Sequence, residues 1–320
     1  MRSALVSDFN LSPRYATFSD PVAAEGEMPV TVTAAGLHPI VKSLARGVHY
    51  AATGELPFIP GVDGVGRLED GSRVYFGIAR PPYGTFAERA LAAKWMCIPL
   101  PEGLDDATAA GIANPAMSSW AALMGRAKFA AGESVLILGA TGVAGQLAVQ
   151  IAKRLGARRV IAAGRNPETL ERLPMLGADD VISLAQPREA LVAAFKNECA
   201  KAGVDVVLDY VWGTPAECLL DALSHKGLMK STPRVRYIEI GASAGATISL
   251  NAASLRSSGL ELLGSGFGSA SLDQLRAAVA EFFAAAAAKP FEFRKKIAPL
   301  SEIEAFWDSP EPGTRIVFQP

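Results

Sequence analysis

Residues 135–145 read Val-Leu-Ile-Leu-Gly-Ala-Thr-Gly-Val-Ala-Gly, and the fold turns on this stretch. The short apolar run Val135–Leu138 has the texture of a strand buried on both faces. Glycines at 139, 142 and 145 then interrupt it. A helix follows in which Leu147, Ile151 and Leu155 recur every fourth residue, one apolar stripe. Strand, glycine-rich turn and helix in that order build a phosphate cradle. Gly142 lets the backbone approach a pyrophosphate, and Gly145 lets the helix pack closely on the strand. The helix start offers unpaired N–H groups and the positive end of its dipole. The spacing is Gly-x-x-Gly-x-x-Gly rather than Gly-x-Gly-x-x-Gly, so the context, more than the pattern, points to dinucleotide binding over a turn that binds nothing.

The next strand, Arg159–Ala163, ends in Gly164-Arg165-Asn166. An acidic residue at this point would bond the ribose 2′-hydroxyl of NAD. Its absence, with Arg165 placed to pair a 2′-phosphate, favours NADP(H). A solvent-exposed turn arginine is the plainer alternative. Further strand signals follow at Val204–Leu208, Tyr237–Ile240 and Leu260–Leu263. Helical segments fall between them at Pro167–Leu176, Pro187–Ala202 and Pro215–Ser224. This alternation predicts an α/β fold, a Rossmann doubly wound parallel sheet over residues 116–288.

Upstream, residues 1–115 are rich in Pro and Gly, with short strand-like runs at Pro29–Ala34, Gly66–Leu68, Arg73–Phe76 and Thr85–Leu91. Asp70-Gly71 is a hairpin signal between two of them. A second glycine cluster, Pro60–Gly66, leads into strand rather than helix, so it is expected to be structural, a bulged lead-in. After the helix Leu272–Ala288 the texture reverts, through Phe291–Ile297, a short helix near Ser301–Trp307 and a closing strand Arg315–Phe318. The first domain is therefore expected to be discontinuous and β-rich, with 289–320 returning to 1–115.

The chain has 320 residues, 50% hydrophobic and 20% charged, which is enough apolar material for two cores. Lys and Arg (31) nearly balance Asp and Glu (32), so no basic field points to nucleic acid or an anionic membrane. Cys97, Cys199 and Cys218 fit neither a disulfide framework nor a zinc spacing, and are expected as reduced thiols. No run approaches the ~18 apolar residues of a membrane span. The first residues lack the apolar core of a secretion signal. The expected location is cytoplasmic.

The segments Leu56–Gly66, Gly71–Gly77, Tyr83–Glu88 and Asn114–Leu123, followed by the glycine turn, together resemble the medium-chain dehydrogenase/reductase superfamily and its zinc-free quinone oxidoreductase-like branch. The resemblance implies a GroES-like domain joined to the Rossmann domain, a homodimer, NADP(H), and a small electrophilic acceptor. By position it places Gly139, Thr141, Gly142, Val143 and Gly145 at the pyrophosphate and Arg165 at the 2′-phosphate. Tyr210 and Val211 would lie along the cofactor, with Gly241, Ala242, Ser243, Gly264 and Ser265 toward the nicotinamide. Where zinc-dependent relatives carry ligands, this chain has Leu37-His38, Val62-Asp63 and Asn114-Pro115. His38 alone cannot hold a catalytic zinc, which takes three protein ligands.

His38, Tyr50 and Ser118 are the candidate catalytic side chains. His38-Pro39 stands where relatives often carry Asn-Pro at the nicotinamide; a polar loop histidine is the alternative. Tyr50 resembles the proton-donating tyrosine of enoyl-thioester reductases, displaced by the extra residue His49; a phenol packed on a loop is the plainer alternative and the one preferred. Ser118 lies near the threonine that relatives place at the nicotinamide, though a helix N-cap would also explain it. Without a metal, the protein's task is to hold a flat acceptor against the nicotinamide C4 and to orient it. Quinones, activated alkenes and carbonyls suit this task. An enoyl-thioester reductase and a low-turnover NADPH-binding sensor or accessory protein are the alternatives.

Overall fold

The computed structural model describes every residue except 53, 78, 225–232, 267 and 270. The chain divides into two compact units. One is Met1–Pro115 with Val279–Pro320, and the other is Ala116–Ala278.

The first unit opens with β1 (Arg2–Leu5) antiparallel to β2 (Arg14–Thr17). There follow β3 (Glu27–Gly36), α1 (Pro39–Ala45), β4 (Asp63–Arg67), β5 (Arg73–Gly77), β6 (Arg89–Ala93) and β7 (Ile98–Pro99). Helix α2 (Asp106–Trp120) runs through the division. Gly71 turns the β4–β5 hairpin at φ +84°, a left-handed conformation that glycine accepts without strain. The Pro60–Gly66 cluster does not bulge as expected: β4 pairs regularly with β5, and the register shift lies on β3 between Val32 and Ala34. Its glycines are there for closeness. A Cβ on Gly66 would sit 2.4 Å from Thr31 O. The strand expected over Thr85–Leu91 starts only at Arg89, because the Thr85 hydroxyl turns inward to donate to Asp63 O at 2.8 Å.

In the second unit come β8 (Ser134–Leu138), α3 (Val143–Arg154), β9 (Arg159–Gly164), α4 (Pro167–Arg172) and β10 (Asp180–Ser183). They are followed by α5 (Arg188–Ala202), β11 (Val206–Asp209), α6 (Gly213–Leu223), β12 (Arg234–Glu239), α7 (Ala252–Arg256) and β13 (Gly259–Gly264). The strands form one parallel sheet in the order β10-β9-β8-β11-β12-β13. The α/β reading therefore holds, and the sheet winds outward in both directions from the β8–β11 pair. Ligands of such sheets bind beyond the carboxyl ends of the strands at that reversal. The sequence pattern does not predict β10; only Ile182 of its four residues is buried, so it carries no apolar run.

Helix α8 (Leu272–Ala288) leads back to β14 (Arg294–Pro299), α9 (Ile303–Trp307) and β15 (Thr314–Gln319). Within the first unit β15 lies between β14 and β3 in a sheet continued by β4, β5 and β7, with β6 also on β3. The division falls at Val279, ahead of the 289 expected. Phe282 and Phe283 already belong to the first unit's core, with Phe283 edge-on to Tyr75 at 5.5 Å and Phe282 against Phe291 at 5.0 Å. Among the described residues no helix is long and apolar enough to cross a membrane.

Candidate functional site

The glycine turn leaves the end of β8 at Gly139, whose φ of +89° lets both its N–H and that of Ala140 donate to Ala163 O, at 2.9 and 2.8 Å. The next two glycines do different work. A Cβ on Gly145 would lie 2.3 Å from Gly139 O and 2.5 Å from Ala140 Cα, so only glycine allows α3 to sit this close to the strand end. A Cβ on Gly142 would meet only Gly139 O, at 3.5 Å. Gly142 is exposed, has an ordinary extended backbone, and provides no side-chain cap for α3. The first-turn amides of α3, beginning at the buried Val143, are thus presented without a side chain in front of them. Thr141 packs its methyl where a Cβ on Gly164 would be, which explains the glycine ending β9. Gln146, buried, donates to Thr141 O at 3.2 Å and stiffens the turn.

Arg165 follows directly on β9. It is exposed, and its guanidinium makes no hydrogen bond or ion pair with a described residue. Asn166 caps α4 by accepting from Thr169 N at 2.8 Å. No carboxylate ends β9.

Across the reversal, β11 ends in Asp209, fully buried, and continues into Tyr210 and Val211. Val211 is buried and Tyr210 half-buried. The Tyr210 hydroxyl lies 3.5 Å from Ser118 Oγ, and burial pushes its phenol up to about 12 against the opposing pull of bonds to Ser118 and Ser119. Ser118 is in the interior of α2, so the N-cap explanation for it is excluded. Ser243 Oγ donates to Tyr210 O at 3.1 Å. Gly241 N donates to Asp209 O, and Ala242 is exposed beside it. At the end of β13, Gly264 has open space where a Cβ would be, and its carbonyl accepts from Arg126 Nε at 2.8 Å. Ser265 N donates to Glu239 O at 2.8 Å. The expected dinucleotide residues thus gather along the carboxyl ends of β8, β9, β11, β12 and β13.

In the first unit, one expected catalytic residue is exposed and the other buried. Tyr50 is 73% exposed on the loop after α1, its ring 4.2 Å from that of His49. His38 is no polar loop residue: it precedes α1 and is 1% exposed. Its Nε2 is 3.3 Å from Asp63 Oδ1, though without hydrogen-bond geometry. Asp63 Oδ2 accepts from Tyr75 OH at 2.8 Å. Arg315, also buried, donates to Leu37 O at 2.5 Å, and burial draws its guanidinium down to about 10. A zinc ion does not fit here. Among the described residues no three His, Cys, Asp or Glu side chains are placed to share a metal, and a buried arginine adds positive charge beside the His38–Asp63 pair.

Sequence reading missed what Asp209, Trp212 and Tyr237 do, which is to shape the loop after β11. The signal was present: a carboxylate directly after the apolar run Val206–Leu208 has no reason to be buried unless it holds something.

Residues 143–285 match the family model described as zinc-binding dehydrogenase. The Emericella nidulans protein named "Probable NADPH-dependent quinone reductase tdiC" is 28% identical over the whole length of both chains. Quinone oxidoreductase of Pongo abelii is 30% identical, over 65% of this chain and 64% of its own. The solved quinone oxidoreductase of Thermus thermophilus, described also in complex with NADPH, superposes with a TM-score of 0.77 at 28% identity, covering all of both chains. Together these matches support the medium-chain dehydrogenase/reductase superfamily and its quinone oxidoreductase-like branch. The family description names zinc, yet the segment matched, 143–285, excludes Leu37-His38, Val62-Asp63 and Asn114-Pro115.

Proposed function

We propose that this chain is an NADPH-dependent oxidoreductase that passes hydride to a quinone, or to an activated alkene or carbonyl, without a metal. The observation that carries this reading is the open phosphate turn at Gly142 together with an exposed Arg165, engaged by no described residue, at the end of the neighbouring strand. The names of the Emericella and Thermus relatives support it. When bound, the dinucleotide supplies the hydride. The residues of this chain hold and orient it: the α3 amides take the pyrophosphate, and Arg165 takes the 2′-phosphate. The small residues Gly241, Ala242, Ser243 and Gly264 leave room for a flat ring. The donor set argues for chemistry without zinc. The outer edge of β13, which pairs with no further strand among the described residues and carries the exposed Leu262, supports a homodimer.

Fluorescence titration with NADPH and NADH, beside NADPH consumption measured across quinones, enones, enals and enoyl thioesters, tests the reading. Tighter binding of NADPH and turnover of quinones or enones is the expected result. Failure to bind NADPH overturns it, as does one zinc per chain whose removal abolishes turnover. Turnover of enoyl thioesters alone, or binding with no turnover at all, would replace it with the corresponding alternative.

A further inference from the structure

The three residues Tyr210-Val211-Trp212 join β11, which ends at Asp209, to α6, which starts at Gly213, and their backbone is unusual at one point. Trp212 has φ +54° and ψ −153°, a combination taken almost only by glycine. Lys128, the other non-glycine residue with positive φ among those described, sits in the ordinary left-handed well at φ 51°, ψ 49°. A tryptophan stays in the glycine region only when its surroundings dictate it, so the contacts around it identify what is being held.

Those contacts come from three directions. From below, the buried Asp209 carboxylate accepts from Val211 N at 2.7 Å and Trp212 N at 2.9 Å through Oδ1, and from Tyr237 OH at 2.7 Å through Oδ2. The Trp212 ring meets the Tyr237 ring edge-on at 6.2 Å. From the side, Ala244 N donates to Val211 O at 2.7 Å, and a Cβ on Gly213 would lie 2.8 Å from Ala244 O. Toward the phosphate turn, a Cβ on Gly139 would lie 2.9 Å from Val211 Cγ1 and 3.2 Å from Tyr210 Cβ. The strained peptide therefore presses Tyr210 and Val211 against the first glycine of the turn, across the reversal of the sheet.

We propose that Asp209, Tyr237 and Trp212 form a clamp that sets the Tyr210–Val211 segment against Gly139, so that the dinucleotide meets a surface already in its binding conformation. The three are positioning residues; Asp209 and Tyr237 are buried and act through the loop. The clamp rests on the NADPH-binding reading above. A loop held in advance does not have to be ordered when the ligand arrives, and that saving appears as affinity rather than as turnover.

The test compares Asp209→Ala, Asp209→Asn, Tyr237→Phe and Trp212→Gly with the unaltered chain. The NADPH dissociation constant is measured at a temperature where circular dichroism shows each variant fully folded, and turnover is measured at saturating NADPH with the best acceptor. Asp209→Ala is expected to raise the dissociation constant about tenfold, the scale of one or two lost hydrogen bonds, and Trp212→Gly, which keeps its amide bond to Asp209 but loses the ring against Tyr237 and frees the backbone, by roughly threefold or more. Tyr237→Phe should raise it by less, and turnover at saturation should stay within about twofold. Asp209→Asn, which keeps an acceptor oxygen for the two amides, should restore most of the affinity. Trp212→Gly guards against trivial unfolding, because glycine takes this backbone without strain. Unchanged NADPH affinity in folded Asp209→Ala and Trp212→Gly overturns the clamp while leaving the function standing. An unaltered chain that binds no NADPH overturns the function instead.

Discussion

His38 Nε2 lies 3.3 Å from Asp63 Oδ1 in a buried group that also contains Tyr75 and Arg315, and neither ring nitrogen of His38 completes a hydrogen bond. Burial holds the imidazole below its usual value, Asp63 pulls the other way, and Arg315 adds to the lowering. The folded state therefore keeps His38 neutral at pH values where the unfolded chain takes up a proton. Its contribution to stability is fully present above the unfolded value of about 6.5 and is lost as pH falls below it, at up to about 1.4 kcal/mol per pH unit for one proton. Urea midpoints of the unaltered chain should fall more steeply between pH 7.5 and 5.5 than those of His38→Gln. Parallel slopes would mean that His38 takes up its proton equally in the folded and unfolded states, so that its burial leaves no mark on stability.

The two glycines of the turn should separate when each is replaced by alanine. Gly145→Ala places a methyl within 2.5 Å of backbone atoms that cannot move independently, so both stability and NADPH binding should suffer, stability by at least about 1–3 kcal/mol. Gly142→Ala has room and an ordinary φ of −75°, so its thermal midpoint should stay close to that of the parent. Its methyl would stand where the pyrophosphate approaches the helix start. NADPH affinity should fall at least tenfold in an otherwise sound protein. Loss of midpoint without loss of affinity in Gly142→Ala would move the phosphates elsewhere.

Arg165→Ala should weaken NADPH by about 1.5–3 kcal/mol, the worth of one charge-assisted hydrogen bond, and leave NADH nearly unchanged. Because the guanidinium has no described partner to abandon, the change has little structural cost to confuse it with. Calorimetric titration of both cofactors decides the matter. Equal losses for the two would make Arg165 a structural residue and reopen the choice of cofactor.

These expectations were legible in the sequence to different depths. The phosphate turn could be read because its physics is local: a strand, three glycines and a helix within some twenty residues, with the roles of Gly142 and Gly145 fixed by neighbours close in the chain. The parallel sheet was readable from apolar runs, except β10, where a single buried residue leaves no run to see. His38 was not readable. Its surroundings include Asp63 and Tyr75 of the β4–β5 hairpin and Arg315 of β15, which are distant in the chain and meet only in the folded unit. The carboxylate directly after Val206–Leu208 signalled that Asp209 holds something, but not what, because its partner Tyr237 is 28 residues away. Short-range chemistry writes itself into sequence, whereas a buried polar group assembled from separate strands does not.

Tyr50 separates two kinds of chemistry. Hydride addition to a quinone leaves charge on oxygen, which water can protonate, so no single side chain is indispensable. Reduction of an enone or enoyl thioester also needs a proton at carbon, and losing a positioned donor there should cost roughly 10²–10³ in rate. A positioned donor needs something to orient it. Tyr50 is 73% exposed, and its ring rests on the His49 imidazole at 4.2 Å. His49 in turn has its Nδ1 occupied by the Ala51 amide at 3.2 Å, so it offers that nitrogen to no incoming proton. Tyr50→Phe should therefore keep turnover of a quinone within about threefold of the parent, with NADPH binding unaltered. Stopped-flow measurement of NADPH oxidation in both proteins, with a quinone and an enoyl thioester as separate acceptors, checks this. A drop of about a hundredfold or more for the best acceptor, with NADPH affinity intact, would place the Tyr50 hydroxyl at the reacting carbon and make carbon protonation the step this protein has to perform.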